Sequence, residues 1–287
     1  MTRVACIGEA MIELSMQIAS ASVSVAGDSL NTAIYLKRSA PEIDVDYITQ
    51  LGDDTFSVRI RDFIAAEGIG TDRISTEVGG LPGLYAIALD ENGERSFTYW
   101  RSNSAARRIF ADGDFSRLEG YDLIYLSGIS MAILSPETRE RLVDYLKSCG
   151  IPIAYDSNHR PALWNSPEDA QAINSELWGF AAIPLPSVDD EMKLFGETAK
   201  QVKARCSNFS GIGALKCGAE GPHSIGEEVN QAYPEVAKIV DTTAAGDSFN
   251  GGYLAAKLTG SSQADALMAG HLLASRVIQT RGAIIRR

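Results

Sequence analysis

At 287 residues and 45% hydrophobic composition, the chain has material for one large α/β domain or two small ones. Its formal net charge of -11 argues against nucleic acid or an anionic membrane surface as a partner. No apolar run reaches the ~20 residues of a membrane helix, and the opening MTRVACIGE reads as a strand and not a signal peptide, so a cytoplasmic location is expected.

Strand-like and helix-like segments then alternate. Residues 4–8 form the first predicted strand, and 30–39 a helix with Leu30, Ala33, Ile34 and Leu36 apolar. A strand at 45–49 precedes a helix at 55–67 that stops at Gly68. Residues 123–126, 151–155 and 182–185 read as buried strands, separated by helices at 136–148 and 167–178. A strand at 212–216 and a last helix at 264–277 complete the series. This alternation predicts a mostly parallel sheet covered by helices on both faces. One region departs from it. Residues 83–89 and 96–100 are two strand-like runs joined by the polar link 90–94, whose Asn-Gly is a hairpin signal. Residues 14–16 and 23–25 are expected to add strands to the same small sheet. The hairpin is either an edge decoration or a cover over a site.

The chemistry concentrates in residues 241–258, DTTAAGDSFNGGYLAAKL. A Thr pair leads into Ala244-Ala245-Gly246, and Asp247 stands in the first turn of a predicted helix. Free N–H groups and the helix dipole favour an anion there. The Asp247 carboxylate can accept a proton from a hydroxyl, although an acidic residue in a first turn can also be only a dipole partner. Small residues at 244–246 let a ligand approach the backbone. Gly251-Gly252 cost about 1 kcal/mol each relative to Ala in a helix, which suggests close approach of another backbone or a ligand. An anion hole beside a base suits phosphoryl transfer to an alcohol.

Other segments supply further candidates. Gly27-Asp28 and Asn31 lie at the start of a helix, which Asp28 could simply cap. Tyr85, Tyr99 and Arg101 lie on the hairpin, and Arg binds carboxylates through paired, charge-assisted hydrogen bonds. Asn158 and Arg160 follow a predicted strand, at the end of a parallel sheet where ligands bind; His159 between them reads as structural. Residues 187–191, SVDDE, are either oxygen ligands for Mg²⁺ or a solvated helix start. Residues 216–221, KCGAEG, read as a tight turn after a strand. No Walker sequence is present, which excludes a P-loop kinase, and the protein-kinase H-R-D and D-F-G sequences are missing. The four cysteines form no C-x-x-C pair, and none has a histidine at a recognised ligand spacing, so neither a disulfide framework nor a zinc site is expected.

In this order, Ile7-Gly8-Glu9, residues 26–36 (AGDSLNTAIYL), Leu51-Gly52-Asp53, residues 155–161 (YDSNHRP) and residues 241–258 resemble the ribokinase-like, phosphofructokinase-B type carbohydrate kinases over nearly the whole chain. Residues 81–87, 97–101, 125–129 and 277–284 resemble more narrowly the members that act on 2-keto-3-deoxygluconate. The resemblance implies an α/β fold, a ribokinase-like three-layer sandwich with a mostly parallel central sheet. It implies a single kinase domain over 1–287, with a β lid from about 9–26 and 81–104. The implied activity is ATP-dependent phosphorylation of the sugar acid's terminal hydroxyl. Asp247 would be the catalytic base, with Ala245 and Gly246 in the anion hole. Gly27, Asp28, Asn31, Tyr85, Tyr99, Arg101, Arg160 and Asp247 would bind the sugar acid. Asn158, Ser187, Lys216, Gly218, Gly221, Ala244, Ala245 and Gly246 would meet the nucleotide. The family usually has Asn-x-x-Glu where Ser187 and Asp190 fall. An oxygen ligand remains at each position, and Asp190 and Glu191 are the candidates for Mg²⁺. A monovalent cation such as K⁺ near the 241–258 loop, and a homo-oligomer formed through the lid, follow by resemblance alone. The alternatives are a fructokinase-like member of the same family and a sugar-acid-binding protein without activity.

Overall fold

Alternate side chains of the first strand separate two cores. In Arg3–Ile7, Val4 and Cys6 join one apolar cluster while Ala5 and Ile7 join another. A strand covered on both faces needs apolar residues at every position, and Leu123–Ser127 is buried throughout for the same reason. The computed structural model describes residues 1–16, 20–89 and 95–286. Its central sheet has five parallel strands in the order Ile183–Pro184, Ile153–Asp156, Leu123–Ser127, Arg3–Ile7 and Asp44–Ile48. One face is covered by the helices Asp28–Ser39, Thr55–Ala66, Ala245–Leu258 and Gln263–Val277, and the other by Pro136–Ser148 and Pro167–Trp178.

The predicted helices form, with ends set by capping chemistry. Asp54, Ser135, Ser166 and Ser262 each accept a backbone N–H of the following first turn. Two expected strands shrink. The strand read at 182–185 is Ile183–Pro184, and the one read at 212–216 is Gly213–Leu215. The second pairs antiparallel with His223–Ile225 instead of extending the central ladder. Pro184 and Pro186 lack the N–H that a continuous ladder requires. A single parallel bridge between Ser187 and Lys216 and the bond from Ile212 N–H to the Ala182 carbonyl at 3.0 Å hold it at the sheet edge. A short helix at Ala199–Cys206, absent from the sequence reading, packs under this edge.

The interrupting region is a separate four-stranded sheet in the order Ala21–Ala26, Met11–Met16, Gly83–Leu89 and Arg95–Trp100. Its outer pairs are antiparallel and its central pair is parallel. The Asn-Gly link at 90–94 lies outside the described residues. Met16, Phe97, Tyr99 and Trp100 on this sheet are exposed.

The glycine pair at 251 and 252 serves helix packing. A Cβ on Gly251 would fall 2.6 Å from the Tyr35 Cβ and 2.9 Å from the Thr32 carbonyl oxygen. One on Gly252 would fall 3.1 Å from the Ala269 carbonyl oxygen. The close approach expected there is therefore by neighbouring helices and not by a ligand. Among the described residues, no helix is long and apolar enough to cross a membrane.

Candidate active site

The candidate residues gather at the carboxyl ends of the central strands. The helix Ala245–Leu258 points its N-terminus into the same region, which makes it attractive to anions. Ala244 turns the chain there with a left-handed φ of 59°. The Ala245 N–H donates to the Thr242 carbonyl at 3.2 Å, and the Ser248 N–H to the Ala244 carbonyl at 2.9 Å. The Gly246 and Asp247 N–H groups have no partner among the described residues. Of the two residues assigned to the anion hole, Gly246 keeps an amide with no partner among the described residues, as does Asp247, whereas the turn uses that of Ala245.

Asp247 is half-buried beside them. Its Oδ2 accepts from Asn31 Nδ2 at 2.8 Å, and its carbonyl from Thr32 Oγ1 at 3.2 Å. Burial and the Asp28 carboxylate push the Asp247 carboxyl up, Asn31 pulls it down, Asp156 pushes it up and Lys216 pulls it down; the result is about 8.

Asp28 does not cap its helix. It is the first helical residue, and its Oδ2 accepts from Ser127 Oγ at 2.5 Å and from Asn158 Nδ2 at 2.9 Å. Asn158, assigned above to the nucleotide, thus sits on the side of the groups assigned to the sugar. Its left-handed φ of 29° is stabilised by its N–H donating to Asp156 Oδ1 at 3.1 Å. Gly27 is forced by crowding: a Cβ there would fall 2.2 Å from the Glu9 carbonyl oxygen.

A second network lies beneath the first. Lys216 Nζ donates to Asp156 Oδ2 at 2.5 Å and to Asn250 Oδ1 at 3.2 Å. Asn250 Nδ2 donates to Asp156 Oδ2 at 2.6 Å and to the Tyr125 hydroxyl at 3.1 Å. Thr32 Oγ1, which also donates to the Asp247 carbonyl, reaches the same tyrosine hydroxyl at 3.1 Å. Lys216 Nζ lies 3.6 Å from where a Gly246 Cβ would stand, so an ammonium sits beside the free amides.

On the four-stranded sheet, the Tyr85 hydroxyl donates to Glu13, which also accepts from Ser24 Oγ at 3.0 Å. Burial, then Glu13, Tyr99 and Asp247, raise the Tyr85 phenol, so it remains a donor. The Tyr99 ring lies 5.7 Å from that of Tyr85. Arg101 is ion-paired with Glu9; Glu9 is buried, and the Arg101 side chain keeps 10% exposure. A Cβ on Gly83 would fall 2.5 Å from Glu9 Oε1, so only glycine leaves room for this pair. Arg101 is therefore not the free cation that the sequence suggests. Glu9 Oε1 and Arg101 Nε are buried without partners.

The outer group divides. Ser187 Oγ caps the helix Val188–Phe195 by accepting from the Asp190 N–H at 3.2 Å. Asp190 Oδ1 accepts from the exposed Arg160 at 3.5 Å. Glu191 points the other way. It is fully buried, pairs with Arg205 at 2.9 Å, and burial raises its carboxyl. Of the two carboxylates, Asp190 is the one left partly exposed. Gly218 and Gly221 take left-handed φ values of 56° and 87° in the turn after Lys216. His159 is buried and its pKa lowered by that burial, in keeping with a structural place. Glu9, Glu13, Asp156 and Asn250 had no assigned role in the sequence. Asp156 and Asn250 could have been found as polar residues inside otherwise apolar elements.

The model of the pfkB family of carbohydrate kinases matches residues 1–286. The chain is 42% identical over 298 residues to the 2-dehydro-3-deoxygluconokinase of Dickeya dadantii, covering 98% of this chain and 96% of the relative. It is 42% identical over 303 residues to the enzyme of the same name from Escherichia coli K12, with 99% and 97% covered. Among solved structures, the fructokinase of Vibrio cholerae O395 in its fructose, ADP and calcium ion bound form matches with a TM-score of 0.83 at 21% identity. That match covers 99% of this chain and 94% of the other and is a likeness of fold.

Proposed function

Because the chain belongs to the pfkB family of carbohydrate kinases, we propose that it transfers the γ-phosphoryl group of ATP to the terminal hydroxyl of 2-keto-3-deoxygluconate. The products are ADP and 2-keto-3-deoxy-6-phosphogluconate. The observation that carries the reaction is Asp247, a carboxyl raised to about 8, beside two unpaired amides at a helix N-terminus. The substrate rests on the two relatives at 42% identity, whose printed name is that of the kinase for this sugar acid.

In this reading the sugar's terminal oxygen attacks the γ-phosphorus, the bond to the bridging oxygen of ADP breaks, and Asp247 takes the hydroxyl proton. The Gly246 and Asp247 amides and Lys216 face the charge that spreads over the phosphoryl oxygens. Asn31 orients the Asp247 carboxylate, and Asp28 is held ready for a sugar hydroxyl by Ser127 and Asn158. Asp190 is the carboxylate suited to hold Mg²⁺ through its water shell, since it is partly exposed and, among the described residues, its side chain is bonded only by a 3.5 Å contact from Arg160. When bound with ATP, the ion neutralises charge on the β- and γ-phosphates.

The domain is read as single, with the four-stranded sheet as a lid over the sugar. The lid would supply Tyr85, Tyr99 and Arg101 and exclude water. The exposed Met16, Phe97, Tyr99 and Trp100 give that sheet an apolar face suited to a second copy of the chain, which sedimentation of wild type against Phe97→Glu would test. Arg101 Nε is buried without a partner among the described residues, so it would meet a substrate carboxylate only if the side chain turned away from Glu9. A fructokinase-like activity is the second reading, favoured by Glu9, which cancels the charge on Arg101.

Product identity tests the proposal. The chain with ATP, Mg²⁺ and 2-keto-3-deoxygluconate is expected to yield a sugar phosphate whose phosphorus couples to two terminal methylene protons in NMR. Stoichiometric ADP without that product would overturn it.

A further inference from the structure

We propose that the turn between Gly213–Leu215 and His223–Ile225 is a binding site for a borderline-soft divalent cation such as Zn²⁺, held by Cys217, Glu220 and His223. One ligand atom from each of these side chains lies within 4.8 Å of the other two. The spacing C-x-x-E-x-x-H matches no recurring zinc sequence, which is why the cysteine pattern gave no sign of it. The fold brings the three together. Leu215 pairs with His223 across the antiparallel strands, and the left-handed glycines 218 and 221 close a tight turn that swings Glu220 back over the strand ends.

The donor set fits. A thiolate, an imidazole and a carboxylate form a three-ligand shell that Zn²⁺ accepts, with a fourth position left for water. Glu220 Oε1 and His223 Nε2 already meet at 2.6 Å, with their side chains 55% and 43% exposed, so an ion can enter from solvent. Bonds of about 2.0–2.3 Å in a tetrahedral shell place ligand atoms roughly 3.3–3.7 Å apart. The cluster therefore contracts by about 1.5 Å at most and opens slightly between Glu220 and His223, within reach of two exposed side chains.

Lys203 marks the place a cation would take. Its Nζ contacts both Glu220 oxygens, at 2.7 and 2.9 Å, so an ammonium already sits against this carboxylate. A divalent ion displaces it towards solvent. Cys217 is buried, and burial raises its thiol to about 11. Zn²⁺ binding forms the metal–sulfur bond and releases the thiol proton to solvent.

The same turn carries Gly218 and Gly221, directly after Lys216. If the proposed function is right in giving this turn to the nucleotide, an ion here competes with ATP. The metal site itself does not depend on that reading.

Cobalt(II) is the probe, because a thiolate ligand gives it a charge-transfer band in the near ultraviolet. The full chain is expected to develop that band at one equivalent and lose it on addition of Zn²⁺. Cys217→Ser should abolish the band. His223→Gln should weaken Co²⁺ binding at least about 10-fold. Cys149→Ser, which removes the one cysteine that is not buried, should leave the band intact. Circular dichroism confirms that each variant is folded. No band in the wild type, or a band that survives in folded Cys217→Ser, overturns the site. With the band present, Zn²⁺ should raise the KM for ATP in the wild type and not in Cys217→Ser. A band without that change upholds the metal site and overturns the assignment of the turn to the nucleotide.

Discussion

Replacing Asp247 with Asn is expected to remove activity and stabilise the fold together. The carboxyl stands at about 8 in the folded protein, against 3.8 for an unperturbed aspartate. A raised carboxyl contributes stability that is fully present below its unfolded pKa and is lost as pH rises through its folded pKa. One unit corresponds to about 1.36 kcal/mol, so the folded state is penalised by at most roughly 2 kcal/mol at pH 5 and roughly 6 kcal/mol at pH 9. Asparagine keeps an oxygen for Asn31 and carries no charge, so Asp247→Asn escapes this penalty. For a chain of this size each kcal/mol moves Tm by about 2 °C. The variant should therefore melt several degrees above wild type at pH 9 and much closer to it at pH 5. Turnover, read as ADP release, should fall ~10²–10⁴-fold, the usual contribution of a proton acceptor. Equal Tm differences at pH 5 and pH 9, or near-normal turnover, would refute the reasoning.

Three further outcomes follow from the same geometry. Glu9→Gln with Arg101→Gln removes the buried pair without orphaning a charge. It should raise the KM for the sugar acid about 10- to 100-fold, as expected for loss of a charged hydrogen bond of roughly 1.5–3 kcal/mol, while any slow turnover of fructose stays unchanged in steady-state assays. Asp156→Asn removes a carboxylate that raises Asp247 and frees Lys216 to lower it. The acidic limb of kcat/KM, which reports the free enzyme, should then move to lower pH; a limb that stays or rises contradicts the network. Asp190→Asn should raise the Mg²⁺ concentration for half-maximal rate, and Glu191→Gln should leave it unchanged; the reverse result would move the metal role to Glu191.

The layered fold was legible because strands covered on both faces read as short continuous apolar runs, whereas the helices repeat their apolar residues with a period of 3.6. The first strand even shows which residue enters which core. The edge at Gly213–Leu215 was misread because prolines in the neighbouring strand stop a ladder that the apolar run alone suggests continuing. Asp247, Asn31 and Asp28 were legible as a group through their motifs, but the bond from Asn31 to Asp247 and those from Ser127 and Asn158 to Asp28 were not. Glu191 was legible in principle: it shares a helix face with Val188 and Leu194, three residues either side, and Leu194 is buried. The pairing of Arg101 with Glu9 was not, because it joins residues 92 apart through a space that only Gly83 leaves open. Cys217 and His223 were likewise hidden, since only the reversal of the chain between them brings them together.

The most direct measurement of the central claim is a side-by-side comparison of kcat/KM with ATP and Mg²⁺ for 2-keto-3-deoxygluconate, fructose and ribose. The account predicts that the sugar acid is preferred over both neutral sugars by at least about 100-fold, the worth of roughly 3 kcal/mol of charged hydrogen bonding. Equal or better use of fructose would contradict it.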